Sequence, residues 1–80
     1  MLDLRHLGEI VFGRDPSCDV VLEDLLVSRR HATLVTGPDE VIIEDSSTNG
    51  VYVNDVRVEG SVRLHSGDRI LVGTTEFSAF

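Results

Sequence analysis

VIIEDSSTNGVYVN, residues 41–54, holds two short runs rich in β-branched residues on either side of the polar segment SSTNG. Val and Ile favour strands, whereas Ser, Asn and Gly favour turns. Similar runs recur along the chain without the sustained spacing of three and four residues that indicates a helix. These runs are EIVFG, DVVL, HATLVT, VRV, RILVG and TEFSAF. The sequence therefore predicts an all-β protein built as a sandwich of two antiparallel sheets.

The composition limits the size and the setting of this protein. Eighty residues predict a single domain over 1–80, with 1–8 as a poorly defined lead-in. The single Cys18 cannot form an intramolecular disulfide, which fits a reducing compartment. No apolar run is long enough to cross a membrane, and the chain does not begin like a signal peptide. We therefore expect a cytoplasmic protein that does not associate with membranes.

The charge of the chain excludes one large class of partners. Fourteen acidic residues stand against seven basic ones, all of them Arg, and the net charge is -7. Binding to nucleic acid generally requires a basic surface, so we expect no nucleic-acid partner. Any anion must be bound locally, and the planar fork of Arg suits phosphate or carboxylate. The adjacent Arg29 and Arg30 indicate such a local site.

Metal and cofactor sites have no support in the sequence. The acidic pairs lack the alternating oxygen ligands of a calcium loop, and no His or Cys spacing fits zinc. There is also no glycine-rich phosphate loop ending in Lys. The sequence thus predicts no metal and no cofactor.

Four fragments of the chain together resemble the forkhead-associated domain. They are FGRD (12–15), VSRRHA (27–32), SSTNGVYVN (46–54) and LHSGDRILVG (64–73), and their order and spacing match over roughly residues 8–80. The motif SRRHA is most similar to the corresponding motif of bacterial members of the family. The resemblance implies a β-sandwich whose loops at one end bind phosphothreonine peptides. It also implies a phosphothreonine-containing protein or peptide as partner, supplied by a Ser/Thr protein kinase or its substrate.

The resemblance assigns five residues to the phosphopeptide. Phosphothreonine carries nearly two negative charges and three strong acceptor oxygens, so several donors must converge on it. Arg14 and Ser28 would contact the phosphate, and Arg29 would add charge or a backbone N–H. Thr48 would shape the phosphate pocket, and Asn49 would hydrogen-bond the peptide main chain.

Four further residues are predicted to support this site. Gly13 and Gly50 would allow close approach or positive φ. By the resemblance, His31 would hold the binding loop through hydrogen bonds. Asn54 would fix a neighbouring turn. Arg30, next to Arg29, is interpreted as a solvated surface residue.

Two other functions stay open at this point. Ser28 and His31 are a conceivable nucleophile and base, but their odd separation tends to put the side chains on opposite sides. No carboxylate is placed to orient the imidazole, and we expect no catalytic residue and no enzyme. The family's first strand has no counterpart before Gly13, and its absence would leave open sheet edges. A phospho-independent assembly module, including a homo-oligomer through such an edge, is therefore the alternative function.

Three local questions concern the loops. The pair Asn49 and Gly50 is also typical of a simple hairpin turn. Asp45 departs from the family pattern and would bring negative charge close to a phosphate site. Leu26 and Val27 lie near the position where the family recognises the third residue after phosphothreonine, which indicates an apolar preference there.

Overall fold

The computed structural model describes residues 8–79, and these residues contain nine strands and no helix. Most of the predicted lead-in, residues 1–7, lies outside this range. No helix in the described part of the chain could cross a membrane. The strands are β1 (Gly8–Gly13), β2 (Val20–Val21), β3 (Ala32–Thr36), β4 (Val41–Asp45), β5 (Val51–Val53), β6 (Val56–Arg57), β7 (Ser61–Arg63), β8 (Arg69–Val72) and β9 (Thr75–Ser78).

The strands form two sheets, which confirms the predicted all-β sandwich. One sheet has the order β2-β1-β3-β4-β7 and the other has the order β6-β5-β8-β9. All strand pairs are antiparallel except β1 and β2, which run parallel at one edge of the first sheet. The parallel pairing arises because residues 14–19 run back along β1. The carboxylate of Asp19 accepts the N–H of Val11 at 2.8 Å and fixes the returning segment there.

The core lies between the two sheets and is made mainly of aliphatic side chains. Leu34 and Ile43 face each other across β3 and β4, and both are fully buried. Ile70 reaches the same core from the second sheet. Phe12 meets Phe77 edge-on, with ring centroids 5.2 Å apart. Since each such side chain contributes roughly 1.5–3 kcal/mol on burial, this layer holds the sheets together.

The connection between β4 and β5 is not a hairpin. Residues 46–50 carry the chain from the first sheet to the second, so the hairpin interpretation of Asn49 and Gly50 is wrong. The two-residue hairpin turn lies instead between β5 and β6, where Asn54 and Asp55 have φ of 50° and 69°. Two consecutive positive φ angles are characteristic of the type I′ turn that suits the twist of paired strands.

Three loops meet at one end of the sandwich. They are the β1–β2 loop (14–19), the β2–β3 loop (22–31) and the β4–β5 loop (46–50). Because β3 is antiparallel to both β1 and β4, the start of β3 lies beside the ends of β1 and β4. The fragments singled out in the sequence therefore converge, and LHSGDRILVG reaches this end at Gly73, which lies against Asp24.

Candidate functional site

The β1–β2 loop and the β2–β3 loop are joined through their backbones. The N–H of Arg14 donates to the carbonyl of Ser28 at 3.0 Å, and that of Asp15 donates to the carbonyl of Arg29 at 3.1 Å. A Cβ on Gly13 would lie 2.0 Å from that Arg29 oxygen. Cys18 is buried and its Sγ is 3.2 Å from the same oxygen. Only glycine permits this close approach, so Gly13 determines how the two loops pack.

Arg14 presents an oriented guanidinium at the surface. Its Nε donates to the carbonyl of Val27 at 2.5 Å, and the side chain is otherwise exposed. Among residues 8–79, its two terminal nitrogens have no hydrogen-bond partner. The guanidinium is therefore held at one nitrogen and can offer the other two to an anion in a two-point contact.

Two side-chain hydrogen bonds connect the β4–β5 loop to the β2–β3 loop. The Oγ of Ser28 accepts the N–H of Thr48 at 3.1 Å, and the Nδ2 of Asn49 donates to the carbonyl of Leu26 at 2.9 Å. A serine hydroxyl has one proton to donate besides its acceptor positions. Since Ser28 uses an acceptor position toward Thr48, its proton remains for a further acceptor. Arg14, Ser28, Thr48 and Asn49 are thus brought together.

His31 lies beneath these loops and is fully buried. Its Nδ1 accepts the backbone N–H of Ser28 at 3.0 Å, and its Nε2 is 2.9 Å from the carbonyl oxygen of Gly50. A carbonyl can only accept, so the network assigns the proton to Nε2 and leaves Nδ1 as acceptor. The ring therefore bridges two loops as a neutral imidazole. A nucleophile and base would instead require a hydrogen bond from the Ser28 hydroxyl to a ring nitrogen, but both ring nitrogens contact backbone groups.

The β4–β5 loop is also closed internally. Oδ1 of Asp45 accepts the N–H of Ser47 at 2.8 Å and its hydroxyl at 2.5 Å. The Ser47 Oγ in turn accepts the N–H of Gly50 at 2.8 Å, where φ is 98°. The negative charge of Asp45 is therefore directed into its own loop, where two donors bind it.

A contact that the sequence did not predict fixes the β2–β3 loop from the other side. Asp24 accepts the N–H of Leu26 at 2.9 Å, and it accepts both the N–H and the hydroxyl of Thr74, at 2.9 and 2.8 Å. These hydrogen bonds, first that of Leu26, lower the pKa of Asp24 below its usual 3.8. An Asp two residues before its donor is a familiar turn signal. Its pairing with Thr74, fifty residues later, leaves no signal in the sequence.

The exposed part of the β2–β3 loop is both apolar and basic. Leu25 is 89% exposed and Leu26 is 51% exposed, whereas Val27 is 1% exposed and packs in the core. The expectation that Val27 helps to recognise the peptide is therefore wrong, and Leu25 is the apolar neighbour that the sequence analysis missed. Arg29 and Arg30 are both exposed on the same loop.

Asn54 lies apart from the other predicted residues. It is in the turn at the far end of β5, where its Nδ2 donates to Asp68 at 2.9 Å. Its Oδ1 accepts the N–H of Arg69 at 3.0 Å. Asn54 thus fixes two neighbouring turns and does not contact the three loops. No group of three or more candidate metal ligands occurs among the described residues.

The sequence of this chain matches a known domain family. The family model of the FHA domain matches residues 10–73, which is more than half of the chain. This chain belongs to the FHA domain family, as the resemblance predicted.

Individual relatives agree with this assignment. The chain is 40% identical over 70 residues to an ABC transporter ATP-binding/permease protein of Mycobacterium tuberculosis, covering 86% of this chain and 8% of the transporter. It matches the FHA domain of the CT664 protein from Chlamydia trachomatis with a TM-score of 0.87 and 38% identity, over 96% and 77% of the two chains. The N-terminal FHA domain of Rad53p from S. cerevisiae, solved with a phosphothreonine peptide, matches with a TM-score of 0.76 and 36% identity, over 82% and 56%. The chain spans less than half the length of the curated relatives it matches first.

Proposed function

We propose that this domain is a non-enzymatic module that binds phosphothreonine in a protein or peptide. The observation that carries the proposal is the convergence of the Arg14 guanidinium, the Ser28 hydroxyl and the Thr48–Asn49 turn from three separate loops. Most of the chain's charge is negative, so a cluster of cations at these loops favours a local anion. The phosphothreonine complex of the yeast relative supports the same ligand class.

The phosphate would be bound from two sides. The terminal nitrogens of Arg14 would donate to two phosphate oxygens, and the free proton of Ser28 would donate to the third. A hydrogen bond to a charged group contributes roughly 1.5–3 kcal/mol, so loss of Arg14 is expected to weaken binding at least about tenfold. Arg29 is exposed beside Ser28 and would add an electrostatic attraction to the phosphate, which salt would weaken by screening.

The peptide main chain would be bound by the β4–β5 loop. Asn49 uses one Nδ2 proton on Leu26, and its Oδ1 has no partner among the described residues, so it can accept a peptide N–H. Thr48 would line the pocket next to Ser28. His31, Gly13 and Gly50 would act as positioning residues, because their contacts hold the loops without facing the ligand.

The biological setting follows from the ligand. We propose that a Ser/Thr protein kinase or one of its substrates supplies the phosphothreonine and that the interaction takes place in the cytoplasm. The alternative, phosphate-independent assembly through sheet edges, would use the outer strands of the described sheets, which are two to four residues long. Such short edges offer few backbone hydrogen bonds, which favours the phosphopeptide function.

The test compares peptide libraries that differ only in phosphorylation. Phosphothreonine, phosphoserine and unmodified libraries are presented to the wild type, to Arg14→Ala and to Arg63→Ala. Arg63→Ala is a matched control, because it removes the same charge at the end of β4 away from the binding loops, where Arg63 contacts Asp39. Binding that requires phosphothreonine and Arg14, but not Arg63, supports the proposal.

The opposite result has a definite form. If the folded wild type binds no phosphopeptide, and sedimentation shows assembly that Arg14→Ala leaves unchanged, the alternative function replaces the proposed one.

A further inference from the structure

Arg57 lies beside the start of β5, where the chain leaves the β4–β5 loop. β6 runs antiparallel to β5, with Arg57 opposite Tyr52. The next residue, Val58, donates its N–H to the carbonyl of Val51 at 2.8 Å. The C-terminal end of β6 is therefore next to the β4–β5 loop, because the β5–β6 hairpin returns the chain to it.

The side chain of Arg57 packs against the backbone of Gly50. A Cβ on Gly50 would lie 2.9 Å from Arg57 Nε, 3.2 Å from Cζ and 3.4 Å from Cδ. The carbonyl of Gly50 contacts the buried His31, so the peptide unit under the guanidinium is fixed. Asn49, the residue proposed to hydrogen-bond the peptide main chain, immediately precedes this glycine. Arg57 is thus a cation at the border of the proposed groove.

This cation has no partner in the described structure. Arg69 pairs with Asp55 at 2.9 Å, and Arg63 donates to the carbonyl of Asp39 at 3.2 Å. Arg57 makes no hydrogen bond and no ion pair with any residue between 8 and 79, and it is exposed. In a chain with a net charge of -7, a positioned but unpaired guanidinium is suited to an anionic ligand group.

We infer that Arg57 is a specificity-determining residue that binds an acidic side chain flanking the phosphothreonine, on the side where the peptide passes Asn49. This inference rests on the proposed function and extends it to a second anionic group in the ligand. The Arg57 guanidinium would form a charge-assisted contact with the carboxylate. Because the contact is at the border of the groove, salt weakens it, and we expect a preference of about three- to tenfold.

The experiment measures the affinity of single phosphothreonine peptides by fluorescence anisotropy. One peptide carries only neutral flanking residues, and in the others a single Glu is moved from three positions before the phosphothreonine to four positions after it. The proteins are the wild type, Arg57→Gln and Arg63→Gln, which lose equal charge. A fourth protein, Arg57→Glu, is tested against peptides in which Arg replaces the Glu.

The expected results separate this inference from the proposed function. The wild type and Arg63→Gln should prefer Glu at one position. Arg57→Gln should lose that preference while its affinity for the neutral peptide stays within about twofold of the wild-type value. Arg57→Glu should prefer Arg at the same position. A gain of this kind cannot come from misfolding. Phosphothreonine binding with no Glu preference, or with one that Arg57→Gln retains, overturns the inference alone. Absence of any phosphopeptide binding overturns both.

Discussion

Replacing His31 with Ala is expected to destabilise the whole domain rather than only the binding loops. The change leaves the carbonyl of Gly50 without its partner in a buried place and the N–H of Ser28 without its partner in a partly buried one. Each unsatisfied group costs about 1–3 kcal/mol, so the expected loss is about 2–6 kcal/mol before any cavity is counted. A domain of 80 residues has a total free energy of unfolding of roughly 4–12 kcal/mol. The variant should therefore be marginally stable.

Urea unfolding followed by far-UV circular dichroism measures this effect. With a slope of about 2 kcal/mol per molar urea, the middle of the range for small proteins, the midpoint should fall by roughly 1–3 M. His65→Ala is the control, since that side chain is 73% exposed and its midpoint should stay near that of the wild type. If both variants unfold at the same urea concentration, the reasoning that His31 joins two loops through buried hydrogen bonds is refuted.

Three further predictions address the loops. Gly13→Ala would place a Cβ 2.0 Å from the Arg29 oxygen, so we expect a lower melting temperature and weaker phosphopeptide binding; an unchanged melting curve would contradict the packing described. Ser28→Ala removes the acceptor of the Thr48 N–H and the free hydroxyl, and titration calorimetry should show affinity reduced about tenfold while circular dichroism is unchanged. Asp24 has a folded-state pKa below 3.8, so its stabilising contribution is complete above that pH and is lost as the pH falls through the folded-state pKa. Asp24→Asn should therefore unfold with less pH dependence between pH 2 and 5 in urea titrations, and an identical pH profile would argue against the hydrogen bonds described.

The strands were largely predictable because burial imposes a pattern on them. HATLVT contains β3, whose residues alternate between buried and half-buried, and VIIED coincides with β4. β7 was missed, because Ser61–Arg63 is three residues long and exposed throughout, so no apolar pattern marks it. Its position depends on the neighbouring strand, since Val62 pairs with Ile43 in β4. Tertiary pairing, rather than local preference, creates this strand.

The candidate site was predictable in its residue types and less so in its contacts. A glycine before Arg14 indicated close approach, and the structure supplies the partner, the backbone of Arg29. The pairing of Asp24 with Thr74 could not be predicted, because it joins two segments that meet only after both sheets have formed. The packing of Arg57 on Gly50 is local to the β5–β6 hairpin, but it depends on the register of that hairpin, which the sequence does not mark. Sequence spacing indicates local preference, whereas these contacts depend on topology and register.

The cross-linking of the three loops has a consequence for affinity. Loops that must be ordered on binding reduce the observed affinity, because part of the interaction free energy offsets lost conformational entropy. Here the loops are already joined through Ser28, Asn49 and the buried His31. Their order derives from the hydrophobic core beneath them, so a variant that loosens the core should lower phosphopeptide affinity without touching the ligand. Ile43→Val, a buried change on β4, is expected to weaken phosphopeptide binding slightly through faster dissociation. If the variant and the wild type release the peptide at equal rates, the loops hold their order independently of the core.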